Sequence, residues 1–234
     1  MGTVVPCRGK TNESGNARKL WMETADETAQ EIIFNLPEEI ARMLARKMKD
    51  DKMLDEAVVQ RDNVYYLDHD ALGKQNVNGA LFLDSGISLK TRPYTYIIYG
   101  HNMKSGAMFG NLRNYENRTF YHNDPFITFD MMYETGRYVI FAAGSVSVEE
   151  RGRNYVDFYA LRSANVPERQ AAIEALIAAS VHTYPIDVQV DDQLLVLVTC
   201  VEKDEYRRVV AARRIREGED EATLKNLVNM SRKR

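Results

Sequence analysis

The stretch Leu194-Leu195-Val196-Leu197-Val198-Thr199-Cys200-Val201 is followed by the polar Glu202-Lys203-Asp204-Glu205 and then by Tyr206-Arg207-Arg208-Val209-Val210-Ala211-Ala212-Arg213. Leu194 to Thr199 is the most hydrophobic run in the chain, the composition of a buried strand, and Tyr206 to Ile215 reads as a second strand after a short charged loop. Outward from this pair the same aromatic and β-branched composition recurs in Val64 to Leu67, Ala80 to Leu83, Tyr94 to Tyr99, Phe126 to Phe129, Arg137 to Val148 and Tyr155 to Leu161. Asn78-Gly79, Asp84-Ser85-Gly86, Thr135-Gly136 and Arg151-Gly152 supply turn chemistry between them.

Three segments carry a helical period instead. Leu20, Trp21, Ala25, Ile32 and Ile33, then Ile40, Met43, Leu44, Met48, Leu54 and Val58 after Pro37, predict a helical pair at the start. Pro167 opens a helix over Glu168 to Val181, with Ile173, Leu176 and Ile177 on one face. Glu219 to Met230 reads as a short amphipathic helix ahead of the basic Ser231-Arg232-Lys233-Arg234. The whole predicts a mainly β fold with helical additions: a closed or nearly closed eight-stranded β-barrel with one helix between two late strands. Residues 1–17 read as a flexible tail or remnant, 18–216 as one domain and 217–234 as a C-terminal tail or short helix.

Composition narrows the function classes. At 234 residues, 44% hydrophobic and 28% charged, the chain is an ordinary globular one, and a net charge of −3 gives no case for a nucleic-acid binder. Two cysteines, Cys7 and Cys200, make neither a disulfide scaffold nor a multi-cysteine metal site. The purest apolar run, Leu194 to Val198, is five residues long, against roughly 20 for a membrane span.

A single reactive thiol remains possible. Cys7 lies among small and polar residues with no evident base, and reads as idle. Cys200 sits where the most hydrophobic strand gives way to a polar loop, a place from which a rigid barrel can present a thiol; a buried structural cysteine is the alternative. Of four histidines, His69 reads as a loop residue, and His122 and His182 as surface or capping residues. His101 follows the strand Tyr96-Ile97-Ile98-Tyr99 and Gly100, a strand exit like that of Cys200, 99 positions away. Arg207 and Arg208 point to opposite faces by the period of a strand, so one of them can face the thiol and stabilise an oxyanion.

Tyr99-Gly100-His101-Asn102-Met103-Lys104-Ser105-Gly106-Ala107-Met108-Phe109-Gly110-Asn111-Leu112 resembles the catalytic-histidine segment of class B sortases, and Val198-Thr199-Cys200 with Arg207-Arg208-Val209-Val210-Ala211-Ala212-Arg213 resembles their nucleophile and arginine strands. The resemblance covers roughly residues 20–216, including the helical start and the late helix. It implies a sortase-type barrel and a cell-surface cysteine transpeptidase, which cleaves a C-terminal sorting signal of the Asn/Ser-Pro-x-Thr type after Thr and joins the Thr to an amine. The implied partners are the sorting-signal peptide of a surface protein and, as acceptor, peptidoglycan or its lipid-linked precursor. No nucleic acid, cofactor or metal is implied, and the protein is expected to act as a monomer.

By the same resemblance Cys200 is the nucleophile, His101 the general acid/base and Arg207 the oxyanion cation, with Arg208 its rival. The amide of Val201 is a second oxyanion donor, and Asn63, Tyr99 and Thr199 flank the substrate. Class members often carry Ser two residues before the cysteine; Val198 stands there in this chain. Asp124-Pro125-Phe126 has the letters of the lid found in pilin-polymerising sortases but follows His101, and reads as a turn. Sortases are held at the outer face of the membrane by an N-terminal helix, so the native chain is expected to be longer at its start. A cysteine peptidase acting mainly by hydrolysis and a catalytically silent surface-binding module are the alternative readings.

Overall fold

The architecture follows from one apolar sheet and the segments that cover it. A computed structural model describes residues 58–71, 73–88, 91–130, 135–201 and 205–234. The expected tail over 1–17, with Cys7, and nearly all of the expected helical pair lie outside the described residues. Among the described residues seven strands form the main sheet: β1 (Val58–Val59), β2 (Leu81–Leu83), β3 (Thr95–Gly100), β4 (Phe126–Asp130), β5 (Thr135–Ser147), β7 (Leu194–Cys200) and β8 (Tyr206–Arg214). Their order is β1-β2-β3-β7-β8-β5-β4, a curled half-barrel with β1 and β4 at its edges among the described residues. Two short strands, β6 (His182–Thr183) and β9 (Arg232–Lys233), pair separately.

Two of the eight expected strands fold otherwise and β1 joins the sheet in addition, so seven strands are described in it. Tyr65–Leu67 is a 3-10 turn, because the Asp62 carboxylate accepts from the amides of Val64 and Tyr65 at 2.8 and 2.7 Å and bends the chain. Ala160–Arg162 is another, where Asp157 accepts from the amides of Tyr159 and Ala160 at 2.8 and 3.2 Å. Val58, expected as the last apolar position of a helix, lies in β1, paired in parallel with Leu81.

Helix α1 (Arg118–Asn123) is capped by the Asn117 side chain, and α2 (Val166–Ala179) carries a proline in its first turn. α2 buries Ile173 and Leu176 against the sheet, each worth about 1.5–3 kcal/mol in removed apolar surface. Asp124-Pro125-Phe126 runs from the end of α1 into β4. α3 (Glu221–Val228) buries Leu224 and Val228 in the main core, so the C-terminal residues belong to the packed body. No described helix is long and apolar enough to cross a membrane.

His182 departs from expectation: it is buried, at 1% exposure, in the β6–β9 pairing rather than at the surface. Burial, ahead of the neighbouring Lys233 and Arg118, holds its pKa below 6.5, and His122 is lowered for the same leading reason. The unfolded chain therefore binds protons that the folded chain refuses. Stability should begin to fall as pH drops through 6.5, before carboxylates titrate. His182→Phe should flatten that part of a chemical-denaturation profile; an unchanged slope would exclude His182 as its source.

Candidate functional site

Strand register assembles the site. β3 and β7 pair in parallel, with Tyr99 opposite Val198 and Gly100 opposite Thr199. β7 and β8 pair antiparallel, with Cys200 opposite Arg207 and Thr199 opposite Arg208. The ends of three strands thus meet. Because side chains alternate, Tyr99, Val198, Cys200 and Arg207 share a face, and Arg208 takes the other. A cleft opens there, lined by Leu67, Tyr99, Gly100, His101, Val198, Thr199, Cys200 and Arg207.

His101 is fixed from two sides. Its Nε2 lies 2.7 Å from the Leu67 carbonyl oxygen, and a carbonyl only accepts, so Nε2 donates and Nδ1 is left for proton exchange. Its own carbonyl accepts from the amides of Met103 and Phe109 at 3.2 and 3.1 Å, folding the following loop back so that Phe109 and Leu112 reach the core. Gly79 backs the ring. It has φ +61°, and a Cβ there would stand 2.3 Å from the Tyr66 carbonyl oxygen and 3.1 Å from both Cδ2 of His101 and the Leu67 carbonyl oxygen. Gly79→Ala should therefore displace the Leu67–His101 pair and lower kcat by at least tenfold, roughly the cost of a 1 Å misplacement or less; steady-state kinetics at parental kcat would exclude this.

The two arginines have separate surroundings. Arg207 is 4% exposed, lines the cleft, and donates from Nη1 to the Tyr206 carbonyl at 2.9 Å. Arg208 donates to Glu116 at 2.9 Å on the opposite face. Cys200 is half-buried at the end of β7; thiol chemistry belongs to its reduced form.

Of the expected substrate contacts, Tyr99 and Thr199 line the cleft, whereas Val201 and Asn63 are not among its lining residues. The buried Thr199 hydroxyl has no hydrogen-bond partner among the described residues, a group costing about 1–3 kcal/mol unless it is satisfied by water or another group. Asn63 instead donates to Asp84 at 3.0 Å and accepts from the amide of Ser85 at 2.8 Å. Leu67 and Gly79 escape sequence reading as site residues: one acts through its backbone, the other through a missing side chain. Burial, ahead of Asp84, drives the Tyr99 hydroxyl far above its ordinary pKa of 10.0, so it remains a neutral donor. Among the described residues no group of three His, Cys, Asp or Glu side chains could hold a metal ion.

A thiol, an imidazole and a guanidinium around one cleft are a constellation suited to acyl transfer. Comparison with known proteins points the same way. Residues 52–215 match the sortase domain model. Sortase B of Listeria monocytogenes is 28% identical over 162 residues, 68% of this chain and 62% of that protein. The chain thus spans about three fifths of the length of this relative. The solved Listeria monocytogenes sortase B aligns with TM-score 0.59 at 27% identity, over 68% of this chain and 87% of that one. A Staphylococcus aureus sortase B–substrate complex aligns with TM-score 0.59 at 26% identity, over 69% and 74%.

Proposed function

We propose that this chain, which belongs to the sortase family, is a cysteine transpeptidase that cleaves a sorting signal after its Thr and passes the acyl group to an amine. The observation that carries the reading is the convergence of Cys200, His101 and Arg207 on one cleft through the β3–β7–β8 register. The Cys200 thiolate adds to the Thr carbonyl carbon. Developing charge on the oxygen is met by the Arg207 guanidinium and the amide of Val201. Collapse breaks the Thr C–N bond as His101 protonates the departing amine, leaving a thioester on Cys200. An incoming amine then adds to the thioester and gives its proton to His101. The new amide forms and the Cys200 thiolate is regenerated.

The substrate class is an Asn/Ser-Pro-x-Thr peptide, and the acceptor is an amine of peptidoglycan or its lipid-linked precursor, met at the outer face of the membrane. That a Staphylococcus aureus sortase B is known in complex with its substrate supports a substrate-binding role for this fold. Val198 offers no hydroxyl to such a peptide.

Mass spectrometry of the reduced chain incubated with an Asn-Pro-x-Thr and Ser-Pro-x-Thr peptide library plus a diamine tests the reading. A ligated product is expected; hydrolysed peptide alone would overturn transpeptidation. Arg207→Ala should lower kcat about 100- to 1,000-fold, the usual cost of losing one oxyanion donor. Arg208→Ala, facing Glu116, should change it less than about threefold by removing only a partly exposed ion pair. The reverse ranking would reassign the cation.

A further inference from the structure

Asp84 lies outside the cleft lining and is 2% exposed, yet every oxygen of its carboxylate is engaged. Oδ2 accepts from Asn63 Nδ2 at 3.0 Å and from the Tyr99 hydroxyl at 3.2 Å. Oδ1 accepts from the Gly86 amide at 2.9 Å and pairs with Arg162 Nη1 at 3.0 Å. Its backbone carbonyl takes Gln60 Nε2 at 3.0 Å. Four segments therefore meet on one side chain. The 60–63 segment leads into the turn whose Leu67 carbonyl holds Nε2 of His101. Tyr99 stands two residues before His101 on β3 and walls the cleft. Arg162 comes from the 3-10 turn over Ala160–Arg162, and passes where a Gly86 Cβ would lie, 1.7 Å from Nη1. Glycine at 86 is what lets the guanidinium reach the carboxylate.

We propose that Asp84 is a positioning residue for acyl transfer: its buried carboxylate locks the strand that delivers His101 to the turn that orients the His101 ring. The inference rests on the reading of this cleft as the transfer site. An anion engaged at both oxygens by donors from separate segments fixes their relative placement more tightly than packing alone. Asparagine at this position keeps the volume but brings an amide that cannot accept. It must give up accepting either from Asn63 or from Gly86 and Arg162, and keeps Tyr99 on the amide side only if that hydroxyl turns to accept.

The test is steady-state kinetics of reduced parent, Asp84→Asn and Tyr99→Phe chains on the library peptide the parent cleaves fastest, with a diamine acceptor, far below each thermal midpoint. Asp84→Asn is expected to lower kcat by about tenfold or more while KM stays within about threefold, the split for a loss felt in the transition state. Tyr99→Phe should lower kcat in the same sense, and adding it to Asp84→Asn should cost little further, since both remove one linkage. Parental kcat in the folded Asp84→Asn chain would overturn the inference and leave the cleft reading standing. Should Asp84→Asn fail to fold, parental kcat in Tyr99→Phe would overturn it instead. A parent inert toward every library peptide takes down both readings.

Discussion

Cys200→Ala should reduce cleavage and ligation of a sorting-signal peptide by about ten-thousand-fold or more, the scale set when a nucleophile of this kind is removed. The residue ends β7, half-buried at the cleft, and alanine continues that strand without adding volume, so the reduced variant should stay folded. His101→Ala should cost nearly as much, and the double variant little more, because thiol and imidazole act as one unit. Intact-mass measurement separates the steps. Without an amine acceptor the parent should carry a peptide thioester, and Cys200→Ala should carry none. Turnover surviving in Cys200→Ala would refute the nucleophile assignment.

The largest effect on stability should come from Arg213→Ala, at the other end of β8 from the cleft. Arg213 is fully buried and holds Glu219 in a fork at 2.7 and 2.8 Å, with Nε on the Asp187 carbonyl at 2.7 Å. Arg216 adds a second fork to Asp192, at 2.7 Å on both oxygens, and a bond to Asp187 at 2.7 Å. Losing one partner of such a network costs about 3–5 kcal/mol. For a chain of this size that is a fall of roughly 10–15 °C in thermal midpoint. Arg137→Ala breaks the half-exposed pair with Glu221 and should cost about 1 kcal/mol or less. Equal costs in thermal denaturation would mean that burial does not strengthen the Arg213 network. The sign with pH is also fixed: Arg213 lowers Glu219 below 4.5 and Arg216 lowers Asp187 below 3.8. This stabilisation is present above those values and is lost as the carboxylates protonate below them.

Much of this was legible in the sequence, for identifiable reasons. β3, β5, β7 and β8 are long apolar runs whose composition admits little else, and α2 announces itself by Pro167 and its spaced Ile173 and Leu176. The two misread strands have the right side chains. Asp62 and Asp157 overrule them by offering a carboxylate to the next amides, a local signal visible in the letters but weaker than Tyr65-Tyr66-Leu67 or Phe158-Tyr159. The choice between Arg207 and Arg208 depends on a one-residue register across the β7–β8 pair, which a short loop of unknown geometry leaves open. Asp84 and Gly79 looked like ordinary turn residues, because what they do is decided by segments distant in sequence.

The parallel pairing of β3 with β7 has a consequence for biosynthesis. Thr95–Gly100 must find Leu194–Cys200 across about a hundred residues of chain, and such long-range ladders close late. While the ribosome is still making β5 or α2, His101 exists without a thiol beside it. Premature termination anywhere before β7 yields a fragment with no reactive centre. The chemistry switches on only once β7 and β8 have been made, and a chain divided between β5 and β7 should regain it only by reassembly of its two pieces.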